Sequence, residues 1–178
     1  MPERVRWLVL VYRVPSEPTR LRAAVWRRLK RLGAVYLQSS VAALPASPAA
    51  ERALRALRKE IIEQLGGSCL LLAATALAGQ TDMVAAVNAA RDDEYAEIVD
   101  RCRDFLAEIE KEIAARHFTY GELEENEEDL AKLQGWFQTV RGRDALGAAG
   151  AKEAEAALAT CAEALEGFAA RVYEADEM

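Results

Sequence analysis

No stretch of this 178-residue chain reaches the roughly 18 to 20 consecutive apolar residues that a membrane-spanning helix needs. It has no C-x-x-C pair and no phosphate-cradling G-x-x-x-x-G-K-[ST] or G-x-G-x-x-G sequence, so the usual nucleotide cradles are not expected. There is one histidine, His117, and no recognisable nucleophile motif accompanies it; a lone histidine beside a turn reads as structural. The three cysteines, Cys69, Cys102 and Cys161, are widely spaced and odd in number. They read as small buried apolar residues in a reducing cytoplasm. The opening "MPERVRWLVLVYRVP" carries a short apolar run with no small-residue cleavage site, and is expected to be a core strand and not a signal peptide.

What the chain does have is charge, unevenly placed. Residues 1–66 hold 13 Lys and Arg against 5 Asp and Glu, a net +8. Residues 67–178 hold 10 against 24, a net −14. A basic front and an acidic back point to two roles, or to one face that meets an anion and another that does not.

The apolar patterns divide the chain similarly. "WLVLVYRV", Trp7 to Val14, reads as a buried strand, and "TRLRAAVWRRLKRL" as a helix whose Leu21, Val25, Leu29 and Leu32 form an inner stripe. Gly33 is placed to end it. In "AVYLQSSVAALP" the "QSS" is expected to mark a bend or bulge, with Tyr36, Leu37 and Val41 near the core. A second helix follows, with Ser47 as N-cap and Pro48 at its first position. "CLLLAATAL" reads as another buried strand.

From Thr81 the period is helical: one long helix or two with a bend, then a helix after the turn at "FTYG", a loop at "RGRDALGAAG", and a last helix from Ala151. The expected fold class is therefore α+β, with a small ferredoxin-like N-terminal unit over 1–80 and a three-helix antiparallel acidic region over 81–178. A winged-helix N-terminal unit has the same local signature and stays open.

No catalytic residue, cofactor or metal ligand emerges. "ELEENEED", Glu122 to Asp129, lies at the start of a helix, where acidic side chains suit the macrodipole. Two arginine groups are candidate binding residues. At 100° per residue Arg20, Arg27 and Arg31 fall on one outer flank of the first helix, with Lys30 further round. Such a line can follow a nucleic-acid backbone. Arg28 falls near the middle of the apolar face. Arg91 and Arg116 lie at the apolar stripe of the long helix, and Arg141 and Arg143 in the "RGRD" loop; these four are the candidate anion site, for chromate or sulfate, with ion pairing to nearby carboxylates as the other reading.

"WLVLVYRVP", "LRAAVWRRLKRLGAVYLQSSVAALP", "DDEYAEIVDRC", "FTYGELEENEEDLAKLQGWF" and "RGRDALGA" together resemble the N-terminal domain of ChrB-type chromate-resistance regulators. The resemblance implies a cytoplasmic transcription regulator of a chromate-efflux operon, with chromate as its signal. A longer form of the family carries a second domain; this chain stops at Met178, and that domain is expected to be absent. The front portion is also similar to the ferredoxin-like unit of phenylacetate-catabolism repressors and of the small CRISPR-adaptation endonuclease. The endonuclease has a metal-binding Asp after its strand-ending Tyr; here Arg13 follows Tyr12, and a cation is repelled, so nuclease activity is not expected. The expectation is a non-enzymatic DNA-binding regulator acting as a homodimer, off the membrane. The alternatives are a protein-interaction module without DNA and, less favoured, a metal-dependent nuclease relative.

Overall fold

The computed structural model describes residues 4–177. Its elements follow the order β1 (Arg6–Arg13), α1 (Arg20–Arg31), β2 (Val35–Gln38), β3 (Val41–Pro45), α2 (Pro48–Glu63), β4 (Ser68–Thr75), α3 (Gln80–Ala115), α4 (Tyr120–Arg143) and α5 (Ala151–Asp176). Contacts divide the chain into two units, 1–90 and 91–178, with the division inside α3.

In the first unit the four strands form one antiparallel sheet in the order β2-β3-β1-β4. Two split β-α-β crossovers produce that order, which is the ferredoxin-like arrangement and not a winged helix. Leu8 and Leu10 of β1 and Ala42 and Leu44 of β3 share one face. Val25 and Leu29 of α1 and Leu54, Leu57 and Ile61 of α2 close over it. The 3.6-residue spacing of these leucines is what turns both helices inward.

Local chemistry sets the ends of the elements. Gly33 has φ 84°, and its N–H donates to the Lys30 carbonyl while that of Ala34 donates to Leu29, the paired bonds of a Schellman ending. Ser47 caps α2 by accepting from the Ala50 N–H at 3.1 Å, with Pro48 at the first helical position. Ser39 and Ser40 form the turn between β2 and β3, and the register slips between Tyr36 and Gln38. The "QSS" is thus a hairpin turn beside a bulge. Leu37, expected near the core, is exposed, because the slip takes it out of the alternation that buries its neighbours.

A second difference concerns β4. "CLLLAATAL" has the composition of a buried strand, yet β4 is an edge, and Leu70 and Leu72 stand exposed at 54% and 42%. Composition reports apolarity; it does not report whether a layer covers the strand's second face.

The second unit packs α3, α4 and α5 around a core that includes Tyr95, Ile98, Cys102, Phe137, Cys161 and Phe168. Tyr120, at the start of α4, donates to Asp176, at the end of α5, at 3.2 Å. Arg143, at the end of α4, meets Glu94 near the start of α3 within this unit. Both contacts fix antiparallel neighbours, as the short connections require. α3 is a single helix. α4 begins at Tyr120, inside the expected turn, because Thr119 is its N-cap and accepts from the Glu122 N–H at 3.2 Å. Asn126 interrupts the apolar stripe of α4 and is buried, its amide donating to the Glu122 carbonyl at 2.7 Å.

Gly67 lies between α2 and β4, hard against the main chain of Arg13. A Cβ there meets the Arg13 carbonyl oxygen at 2.2 Å and the Ile61 methyl at 2.9 Å. Gly67→Ala is expected to destabilise by about 1–3 kcal/mol or more, since main-chain oxygen cannot swing aside. A chemical denaturation curve with an unchanged midpoint contradicts that.

Candidate functional site

α1 carries six basic side chains and no acidic one in twelve residues. Burial of Val25 and Leu29 leaves Arg20, Arg27, Lys30 and Arg31 exposed. Arg28 does not enter the apolar face. It is 44% exposed and donates to the Glu60 carboxylate of α2, an ion pair that links the two helices. Trp26 lies one position off the inner stripe, 49% exposed, with the Lys30 ammonium 5.9 Å from its ring centroid. An exposed indole among cations offers a stacking plane beside phosphate-binding charges. The spacing of Trp26 from Val25 and Leu29 was the signal for its exposure.

The second arginine group is only partly brought together. α4 runs through Arg143, so Arg141 and Arg143 occupy its last turn and not a loop. Two basic residues there complement the C-terminal end of the helix dipole. Arg91 is 4% exposed. Its Nε lies 2.7 Å from Glu94 Oε2, and Glu94 Oε1 is held by Arg143. One carboxylate thus sits between two guanidinium groups. The Arg91 contact is charge pairing without hydrogen-bond alignment: among the described residues Arg91 Nε, Arg91 Nη1 and Glu94 Oε2 have no hydrogen-bond partner. Arg141 is 52% exposed, 3.7 Å from Glu155 and over the Phe137 ring. Arg116 stands apart. It follows the far end of α3, about 37 Å from Arg91 at 1.5 Å per residue, and cannot share a site with it. Periodicity placed both arginines on one stripe; helix length separates them.

The same corner explains two of the sequence stretches noted above. Asp92 accepts from the Gly150 N–H at 2.7 Å, at the N-terminus of α5. Tyr95 donates to Asp144 Oδ2 at 3.1 Å, and Asp144 Oδ1 accepts from the Gly147 and Ala148 N–H groups at 3.0 Å each. Burial first, and then the Asp144 hydrogen bond, push the Tyr95 phenol up to about 12, so it remains a donor at neutral pH. "DDEY" and "RGRDALGA" are therefore contact partners: Asp92, Glu94 and Tyr95 each hold an atom of the segment from Arg143 to Gly150. Glu94 and Asp144, the acceptors of this corner, were not singled out by sequence, because only the folded chain shows which of many carboxylates face the arginines.

Elsewhere the chemistry is quiet. Among the described residues no group of three or more His, Cys, Asp or Glu converges as a metal site. Cys102 and Cys161 are buried and free, and Cys69 is half-buried. Burial pushes the Cys161 thiol up to about 12, which leaves little thiolate for nucleophilic or redox attack. His117 Nδ1 lies 2.9 Å from the buried Glu112 carboxylate and supplies its partner. No helix among the described residues is long and apolar enough to cross a membrane.

The family model described as Protein ChrB, N-terminal, matches residues 22–178. No curated protein and no solved structure matches the chain.

The corner makes a stability claim. Glu94→Gln leaves the Arg91 guanidinium buried without its counter-charge, and is expected to cost about 3 kcal/mol in chemical denaturation. A loss below about 0.5 kcal/mol, the size of an exposed surface pair, contradicts it.

Proposed function

The chain belongs to the ChrB N-terminal family, and from that premise we propose that it is a non-enzymatic transcription regulator of chromate resistance that holds DNA through α1 and takes an oxyanion at the Arg91 corner. The family match gives the link to chromate resistance. The observation that carries the DNA reading is the exposed basic face of α1, with Arg20, Arg27, Lys30 and Arg31 on a helix free of acidic residues. Each guanidinium on a phosphate releases condensed counterions, and the acidic 67–178 part of the chain repels the backbone.

Support for the oxyanion comes from Arg91. A buried guanidinium whose Nη1 has no hydrogen-bond partner is a donor in search of an oxygen, and Arg143 adds charge beside it. Chromate and sulfate share the tetrahedral charge that two converging guanidinium groups recognise. Arg116 is not part of this site. A homodimer completes the proposal, since two copies reading paired half-sites is the common geometry of such regulators. The protein acts in the cytoplasm, where its DNA is.

The test is a salt titration of binding to a duplex from upstream of the chain's own gene. The triple variant Arg20→Ala, Arg27→Ala, Arg31→Ala is expected to reduce the slope of log K against log salt by about 2.7, three contacts at about 0.9 each. An unchanged slope, or no binding by the unaltered protein at low salt, refutes the DNA reading and leaves the interaction module.

A further inference from the structure

The two edges of the sheet are built differently. β2 is four residues long and bulged, which is how exposed edges are normally blunted. β4 is eight residues long, pairs with β1 in unbroken register and contains no proline. A long regular edge with exposed leucines is one that natural proteins cover.

The free backbone groups of β4 can be identified. Tyr12 N–H donates to the Ser40 carbonyl and Arg6 C=O accepts from Ala46, so the even-numbered residues of β1 point toward β3. The odd-numbered ones, Trp7, Val9, Val11 and Arg13, point toward β4, where they pair with Ala74, Leu72, Leu70 and Ser68. The alternation of an antiparallel ladder then directs Cys69, Leu71, Ala73 and Thr75 outward. Consistently, the Cys69 carbonyl accepts from Arg58 Nε at 3.2 Å. Leu71 and Ala73 keep outward N–H and C=O groups.

A groove of about 440 Å³ runs beside that edge, lined by residues 70–73 of β4 together with Arg6, Arg55, Arg58 and Glu51. Three guanidinium groups face one carboxylate there, and Glu51 is engaged by Arg55 at 2.8–2.9 Å. The opposite face of the same strand presents Leu70 and Leu72. We propose that β4 takes an extended acidic peptide segment of a partner protein as a fifth strand, its carboxylates alternating with apolar side chains. The carboxylates lie along the α2 side against Arg6, Arg55 and Arg58, the apolar residues beside Leu70 and Leu72, and the backbone on Leu71 and Ala73. Charge selects this occupant over a second copy, because two β4 edges paired about a two-fold axis bring both rows of arginines to one seam. The proposal is independent of the DNA reading, which uses α1.

Fluorescence anisotropy of the full chain with a short labelled peptide alternating Glu and Val tests it. Saturable binding is expected, weakened about tenfold or more by Arg55→Glu with Arg58→Glu, and abolished when every second peptide nitrogen is methylated on its ladder-forming edge. Because the methylated peptide leaves the protein untouched, misfolding of the variant cannot imitate the result. Equal binding of the methylated peptide, no saturation by about 100 μM, or displacement by a single-stranded oligonucleotide with the same arginine dependence overturns the proposal.

Discussion

Glu94 holds the helical unit in register. Its carboxylate lies between Arg91 and Arg143, and the residues on either side of it, Asp92 and Tyr95, reach Gly150 and Asp144. The beginning of the 91–178 part of α3 is thereby fastened to the end of α4 and the start of α5. Breaking the pair leaves a buried guanidinium uncompensated, so these contacts favour the observed alignment of the three helices. The cost is a guanidinium with donors to spare, and that surplus is what motivates the proposed anion at this corner.

Charge segregation organises the rest. α1 gathers cations on a face that its own leucines cannot reach, and it is anchored through Arg28 to Glu60. Arg55 and Arg58 belong to a different surface, along the edge of β4. The N-terminal half of the chain therefore presents two basic surfaces of distinct geometry: a convex helix suited to a phosphate backbone, and a groove beside unpaired strand groups. Net charge alone merges them.

Much of this was legible in sequence where a local rule acts. Gly33, Ser47 with Pro48, and the leucine spacing of α1 each have a short-range cause, and each appears in place. The helical period from Thr81 was likewise readable, and its apolar stripe is the one that carries Tyr95, Ile98, Cys102, Phe105 and Ile109 into the core. The ferredoxin-like unit needed strand order, which no local pattern contains; the structure supplies it. Leu37 was misread because a register slip is invisible in the alternation, and β4 and Arg28 were misread for reasons of their own. Apolar content and helical phase do not say whether a neighbouring layer is present or whether a charged side chain can bend to a partner such as Glu60. Arg116 was grouped with Arg91 because periodicity records a face and not a distance along the axis.

The proposed regulator holds an oxyanion at the Arg91 corner and DNA on α1. Where two ligands of one protein are coupled, each shifts the other's affinity by the same factor. The direct measurement is the dissociation constant for the upstream duplex with and without saturating chromate, in the unaltered chain and in Arg91→Met. Chromate is expected to weaken DNA binding about fivefold or more in the unaltered chain and to leave Arg91→Met unchanged. An affinity indifferent to chromate in both proteins, or equally shifted in both, contradicts the account.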